Sequence, residues 1–205
     1  MNVYKVYEAG SDQYFAFAGG YGPIADLWFL KPAFLSSMRA FWKVNPQMPG
    51  ARIDPGGRTW PDILGCGNSP PPFFVSERMV ESLSAFGAKF ARISEMPIAE
   101  IKAKALKGKP IPRYFVLETV PGIEVDFAAS NIPTDAAGEP ILTPLPRPWP
   151  AAIRVRASSW NGADLFAFSN FGQSPYLEFL CTERIKELAE REGWTNLRFL
   201  PIGSV

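Results

Sequence analysis

The sequence predicts an α+β fold in which two related strand-loop-helix-strand units share a largely antiparallel sheet. Three observations lead to this prediction: a segment at 73–93 recurs without gaps at 179–199, each copy carries a helix pattern beside strand patterns, and a proline-rich stretch separates the copies. A chain of 205 residues with 47% hydrophobic and 14% aromatic residues can also bury the core that such a fold needs.

The first unit is predicted around a helix that spans Glu77 to Phe86. Ser76 is a typical N-cap residue, and the negative charge of Glu77 stabilises the positive N-terminal end of the helix dipole. Gly87 readily adopts the left-handed conformation of the residue that ends a helix. The elements predicted around this helix are strands at 62–64, 90–93 and 114–117 and a lysine-bearing second helix at 98–106.

The second unit is predicted from the repeat, whose two copies are identical at six of twenty-one positions. The identical pairs are Phe73 with Phe179, Glu77 with Glu183, Arg78 with Arg184, Glu81 with Glu187, Gly87 with Gly193, and Arg92 with Arg198. General rules for helix ends explain the glycines, but they do not require a repeated phenylalanine or a repeated Glu-Arg pair. We therefore interpret Glu77, Arg78, Gly87, Glu183, Arg184 and Gly193 as residues of a structural repeat.

Four regions follow from this pattern: 1–61, an N-terminal strand and loop region; 62–131, the first helix-strand unit; 132–150, a Pro-rich connector; and 151–205, the second helix-strand unit. The first region opens with a predicted strand at 3–7, and further strands are predicted at 14–17, 153–156 and 164–168. Six prolines in the connector exclude a helix and a central strand. One compact domain and two small lobes are both compatible with this order.

The amino-acid composition limits the classes of function that the chain can have. There is no histidine, which removes the commonest general base and the commonest metal ligand. The two cysteines, Cys66 and Cys181, lack the paired spacing of a zinc site, and the glycines at 19–22 match no nucleotide-binding motif. We expect no cofactor, no functional metal and no catalytic residues. The formal net charge of +1 also gives no reason to expect nucleic acid or a membrane surface as a partner.

The end of the chain carries a family resemblance. The run 179–184 (Phe-Leu-Cys-Thr-Glu-Arg), the short helix after it, Gly193 and the strand 197–199 (Leu-Arg-Phe) resemble immunity family eleven of bacterial polymorphic-toxin systems. The match is best from Asp164 to the C-terminus and weaker over 62–93, and Cys181 departs from the small aliphatic residue usual there. The resemblance implies an immunity protein that binds and neutralises a cognate toxin protein by covering its active site or substrate entrance.

Two other classes of function stay open. Glu77 and Glu183 could meet across a pseudo-twofold axis as the acid-base pair of a carboxylate-dependent enzyme. The structural interpretation is favoured, because the negative charge of each glutamate already stabilises the positive N-terminal end of a helix. The third class is a structural adaptor of a secretion system. The neighbouring genes distinguish the three classes.

The partner-binding surface is predicted by elimination, because the repeat units are assigned to the core. The loops outside them hold residue types that are enriched at protein interfaces, namely Tyr21, Arg52, Asp54, Arg58 and Trp60. Trp60 could equally be a core residue. Charged residues interrupt the opening segment where a signal peptide needs an apolar run, so a cytoplasmic location is expected. The sequence leaves the oligomeric state open.

Overall fold

The computed structural model describes residues 1–9, 51–53, 59–64, 74–96, 98–101, 108–141, 153–170 and 179–205. Within these ranges the chain forms two α-helices and eleven strands. Most strands pair in an antiparallel direction, so the predicted α+β class with a largely antiparallel sheet is confirmed.

The strands in chain order are β1 (Asn2–Glu8), β2 (Ala51–Ile53), β3 (Ile63–Leu64), β4 (Phe74–Ser76), β5 (Phe90–Met96), β6 (Ile98–Ile101), β7 (Tyr114–Val125), β8 (Val155–Arg156), β9 (Leu165–Phe168), β10 (Leu180–Thr182) and β11 (Leu197–Ser204). The helices are α1 (Glu77–Phe86), which follows β4 directly, and α2 (Glu183–Glu192), which follows β10 directly.

Both helices begin and end at the predicted residues, because their end signals are local. The Ser76 hydroxyl accepts a hydrogen bond from the backbone N–H of Met79 at 3.2 Å and so caps α1. Gly87 and Gly193 end the two helices with φ angles of +88° and +63°, a left-handed conformation that strains residues with a Cβ atom.

One sheet contains nine of the strands in the described part of the chain. Its order is β11-β1-β10-β9-β7-β4-β3, and β5 and β8 also pair with β7. The first half of β7 pairs with β4 and β5, and its second half pairs with β8 and, in parallel, with β9. The long strand β7 therefore joins the two parts of the sheet. β2 and β6 form a separate parallel pair.

The two helices lie in similar strand surroundings. We call β3, β4, α1, β5 and the start of β7 the first unit, and β9, β10, α2, β11 and β1 the second unit. In both units the strand before the helix pairs with the strand that precedes it in the chain, and a central strand lies between the strands on either side of the helix. Residues 63 and 75 pair in the first unit as residues 165 and 181 pair in the second. This likeness is one of backbone pairing, and the structural repeat itself stays a prediction.

The sheet separates two apolar cores. The core on the helix side contains residues from both helices and from both units, including Val6, Val75, Met79, Leu83, Leu165, Cys181, Ile185 and Leu188. The core on the opposite side contains Val3, Ile123, Val125, Ile153, Phe166, Phe168, Leu180 and Ile202. Neighbouring residues such as Leu180 and Cys181 enter different cores because strand side chains alternate between faces. The shared helix-side core packs the two units against each other.

The predicted helix at 98–106 is wrong at its start. Residues Ile98–Ile101 form β6, which pairs in parallel with β2 some fifty residues earlier in the chain. Pairing with a distant segment outweighs the helix propensity of a short run, and the run itself does not reveal this partner. Residues 102–107 lie outside the described residues. The strands predicted at 90–93 and 114–117 are present and are longer than predicted.

The connector is described over 132–141 only. Asp135 accepts hydrogen bonds through Oδ1 from the backbone N–H groups of Ala137 and Glu139, which forms a tight turn closed by a bridge between Thr134 and Pro140. Residues 142–150 lie outside the described residues, as does the predicted strand 14–17. The connector as a whole therefore stays a prediction.

Candidate functional site

Asp62 is the centre of a hydrogen-bond network between the two units. Its carboxylate is almost fully buried and accepts from the Ser76 hydroxyl at 2.7 Å and from two nitrogens of the Arg78 guanidinium at 3.2 and 2.5 Å. Thr195, in the turn after α2, donates its N–H at 2.8 Å and its hydroxyl at 3.0 Å. A buried carboxylate needs a paired cation and hydrogen-bond donors, and Asp62 has both.

These contacts determine the ionisation of Asp62. Burial raises the pKa of the carboxyl, because water no longer stabilises the charged form. The hydrogen bonds from Arg78, Ser76 and Thr195 and the positive charge of Arg78 act in the opposite direction and prevail, so the pKa lies below its ordinary value of 3.8. Asp62 is therefore a fixed negative charge at neutral pH and is unsuited to proton transfer there.

Arg78 extends the network to the end of α2. Its Nη1 donates to the carbonyl of Glu192 at 2.9 Å, and its Nη2 donates to the carbonyl of Gly193 at 3.4 Å. A cation at this place satisfies carbonyls that the helix leaves without partners and interacts favourably with the helix dipole. The Asn196 side chain adds a bond to the carbonyl of Ile63 at 2.8 Å. The first unit is thus held to the second at one helix end.

Asp164 occupies the corresponding place in the second unit. It accepts from the Thr182 hydroxyl at 2.6 Å and from Arg184 Nη1 at 2.9 Å, as Asp62 accepts from Ser76 and Arg78. The Arg184 guanidinium lies 4.9 Å from the centre of the Phe86 ring, a cation-π contact with the last residue of α1. Each arginine therefore contacts the last residue of the other unit's helix, the reciprocity typical of a twofold axis.

The two networks differ in strength. The residue that corresponds to Thr195 in the first unit, at an offset of 106, is Lys89, which has no hydroxyl to accept or donate in the same way. The Asp164 side chain is 15% exposed, against 7% for the Asp62 side chain. The Asp62 network therefore makes hydrogen bonds to the other unit that the Asp164 carboxylate lacks.

Glu77 and Glu183, the proposed acid-base pair, have separate partners. Glu77 forms an ion pair with Arg113, which also binds Glu95 at 2.9 Å. Glu183 accepts from the Asn2 amide at 3.2 Å and from the Tyr4 hydroxyl at 3.3 Å. Since each carboxylate binds donors of its own unit, the structure does not bring the two together through any described contact.

The predicted partner-binding residues are only partly described. Arg52 lies on β2, opposite Glu100 on β6, and nothing is described of its side chain. Tyr21, Asp54 and Arg58 lie outside the described residues. The grouping of these residues on one surface therefore stays a prediction.

Trp60 is half-buried. Its ring centre lies 5.9 Å from that of Tyr114, which is fully buried and donates its hydroxyl to the carbonyl of Pro61 at 2.5 Å. Packing on a buried residue supports the alternative that Trp60 belongs partly to the core. A role at the surface would use only its exposed part.

Sequence reasoning did not identify Asp62, Asp164 and Thr195 as key residues. The signal for the two aspartates was present, because Asp62-Ile63-Leu64 and Asp164-Leu165-Phe166 each precede a repeat copy. Nothing local marked Thr195, whose partner is more than 130 positions away in the sequence.

A groove lies beside the ends of β7 and β9. It has a volume of about 360 Å³ and is lined by Phe127, Gly138, Glu139, Arg156, Ser169 and Asn170. These residues come from the turn after β7, the connector, β8 and the segment after β9. The groove is thus assembled by tertiary structure alone.

The described part of the chain contains no group of three or more Asp, Glu, Cys or His side chains that could hold a metal ion. Neither described helix has the length and apolar composition needed to cross a membrane.

Comparison of the chain with known families and curated proteins finds no matching family model and no matching curated protein. The resemblance to immunity family eleven therefore stays a prediction from the sequence.

Proposed function

We propose that the chain is a cytoplasmic immunity protein that binds a cognate bacterial toxin and covers its active site or substrate entrance. The observation that carries this proposal is that the repeated polar residues, which are the most distinctive feature of the sequence, bond within the fold. Asp62 and Asp164 hold helix starts, and Asp62 also joins the two units through Thr195. The resemblance of 179–199 to the immunity family supplies the class of partner.

The contacts of the glutamates support binding over carboxylate catalysis. Two catalytic carboxylates must flank one substrate bond at a separation of about 5–10 Å. Glu77 and Glu183 are instead bound to Arg113 and to Tyr4 and Asn2, respectively. A carboxylate that stabilises the N-terminal end of a helix and accepts hydrogen bonds already has a structural role.

A rigid framework also suits an inhibitor. Binding costs less conformational entropy when the surface is ordered before the partner arrives. The Asp62 network and the shared helix-side core fix both units relative to each other, and the segment at 62–63 is held by Thr195 and Asn196. We therefore propose that Arg52, Asp54, Arg58 and Trp60, which precede this segment in the chain, bind the toxin from a firm base.

The experiment begins with the gene next to the one that encodes this chain. We expect a toxin domain there, whose growth inhibition in a bacterial host is relieved when this chain is produced with it. Purified toxin should bind the chain in calorimetry at a one-to-one ratio. A neighbouring toxin that neither binds this chain nor is neutralised by it contradicts the proposal.

Alanine variants at Tyr21, Arg52, Asp54 and Arg58 then map the surface. A true anchor should weaken binding by about 2 kcal/mol or more, which is about thirtyfold in Kd. The matched control is Arg191→Ala, an exposed arginine on α2, which should leave the affinity unchanged. If all four variants bind as tightly as the control, the toxin uses another surface.

Trp60 needs a different substitution, because alanine would also remove its packing on Tyr114. Trp60→Phe keeps an aromatic ring there and removes the rest of the indole. Weaker toxin binding with an unchanged melting temperature assigns Trp60 to the interface. A lower melting temperature with unchanged affinity assigns it to the core.

A further inference from the structure

The loop 157–163, which joins β8 to β9, is fastened to β7 by one asparagine. The backbone N–H of Asn161 donates to the carbonyl of Gly122 at 3.0 Å, and its side-chain Nδ2 donates to the carbonyl of Pro121 at 2.7 Å. The Oδ1 of the same amide accepts from the backbone N–H of Ala163 at 3.0 Å, which closes an Asx turn. Both ends of the side-chain amide are thus bound within the fold.

These bonds lie where the pairing of β7 with β9 is irregular. The register of this pairing shifts between Pro121 and Ile123, and such a shift leaves backbone groups outside the regular ladder of hydrogen bonds. Asn161 supplies donors to two of the carbonyls there. The hydroxyl of Ser159 adds a second attachment, because it accepts from the backbone N–H of Glu124 at 2.8 Å. The loop therefore holds the irregular part of the strand that joins the two parts of the sheet.

The residue after Asn161 is a glycine, the neighbour that most favours chemical conversion of an asparagine side chain. Asn161 and Gly162 are both exposed, and Gly162 adopts a φ angle of +85°. Because Gly162 has no Cβ atom, its backbone nitrogen is open to the side-chain carbon of the residue before it. The loop thus combines an exposed Asn-Gly pair with an amide whose hydrogen bonds hold the fold.

We infer that Asn161 is a deamidation site which the closed loop protects, and that conversion of its amide to a carboxylate releases the loop from β7. In the reaction the Gly162 nitrogen loses its proton to solvent and attacks the Cγ of Asn161. As this C–N bond forms, the Cγ–Nδ2 bond breaks and ammonia leaves. Water then opens the cyclic imide at one of its two carbonyls, which gives aspartate or isoaspartate without any change of oxidation state.

The reaction removes the donor on which the attachment depends. Nδ2 leaves as ammonia, so its hydrogen bond to the carbonyl of Pro121 must be broken. A carboxylate in the same place would direct an acceptor oxygen at that carbonyl oxygen, and two acceptors cannot bond each other. The bound amide is therefore protected while the loop is closed, and the product cannot restore the attachment. Opening of the loop becomes irreversible once the amide has reacted.

The test measures deamidation of the full chain, incubated either in buffer or unfolded in urea. Mass spectrometry of the tryptic peptide 157–184 detects the replacement of NH2 by OH, and fragmentation separates Asn161 from Asn170. The native chain should react at Asn161 at least about tenfold more slowly than the unfolded chain, because opening must first break both side-chain hydrogen bonds. Ser159→Ala should raise the native rate about fivefold, the effect of losing about one hydrogen bond.

The matched control is Ser158→Ala, which replaces an exposed serine whose hydroxyl has no hydrogen bond to the described residues. This variant should react like the unsubstituted chain. Both variants keep the Asn-Gly pair, so their rates in urea should be equal and any difference in buffer reports on the fold. A cooperative melting transition establishes that each variant is folded at the temperature of the incubation.

Asn161→Asp reproduces the aspartate product and should lower the melting temperature, whereas Ser158→Ala should not. The inference is overturned if Asn161 does not react in urea, or if it reacts equally fast in the native chain. It is also overturned if Ser159→Ala reacts no faster than Ser158→Ala, or if Asn161→Asp melts like the unsubstituted chain. None of these measurements involves the toxin, so their outcome is independent of the proposed function.

Discussion

Replacing Asp62 with asparagine tests whether the Asp62 network holds the two units together. The substitution keeps the shape of the side chain but removes its charge and turns one acceptor into a donor. Three residues, Ser76, Arg78 and Thr195, would then direct donors at a group that can no longer accept all of them. The matched variant is Asp164→Asn, which removes the corresponding carboxylate from the second unit.

The expected magnitude follows from burial. Removing one partner of a fully buried ion pair costs about 3–5 kcal/mol. The Asp62 side chain is only 7% exposed but that of Arg78 is 52% exposed, so water can solvate the unpaired guanidinium and the cost should fall to about 2–3 kcal/mol. Asp164 has fewer donors and a partner, Arg184, that is 59% exposed, so its replacement should cost about 1 kcal/mol.

Urea unfolding followed by tryptophan fluorescence and by circular dichroism gives both free energies of unfolding. Coincident curves from the two probes would show that the units unfold together, which a comparison of free energies requires. The reasoning is refuted if Asp62→Asn loses no more stability than Asp164→Asn. Equal losses would mean that the bonds to Thr195 and to the end of α2 add nothing.

Comparing the unsubstituted protein with Asp62→Asn also tests how the contribution of Asp62 to stability depends on pH. The folded-state pKa of Asp62 is depressed, so its contribution to stability is fully present above the unfolded value near 3.8 and is lost as the pH falls through the folded value. Asp62→Asn has no proton to gain at this position. The difference in free energy of unfolding between the unsubstituted protein and Asp62→Asn should therefore shrink as the pH is lowered from about 5 towards about 2. A constant difference over that range would contradict the assignment.

Three further outcomes are expected. Gly122→Ala places a Cβ atom 2.4 Å from the Cβ of Phe166, so β7 and β9 must separate, and thermal melting should show a loss of about 1–3 kcal/mol. Ser76→Ala removes both the cap of α1 and a donor to a buried carboxylate, and urea unfolding should show a loss of about 1–2 kcal/mol. Burial raises the pKa of the Cys181 thiol, so in a Cys66→Ser variant the thiol should react with a disulfide reagent only after denaturant is added, and fast reaction of the native protein would contradict this.

The sequence by itself determined the two helices. A glutamate on the first turn of each helix, a glycine after each last turn and, for α1, the Ser76 cap act within a few residues of one another, and such local signals can be seen in the sequence. The opening strand and the main strands around the helices were predictable for the same reason, since their alternating or β-branched patterns are local. The helix predicted at 98–106 failed where a distant strand, β2, supplied a partner.

Tertiary structure decided what the repeated residues contact. Arg78 and Arg184 occupy the same position in the repeat, yet one bonds backbone carbonyls at the end of α2 and the other lies over the ring of Phe86. The groove, likewise, is formed by four separate segments of the chain between Phe127 and Asn170. The physical reason is that a hydrogen bond or an ion pair forms across a few ångströms of space, and chain folding alone places Thr195 within 3 Å of Asp62.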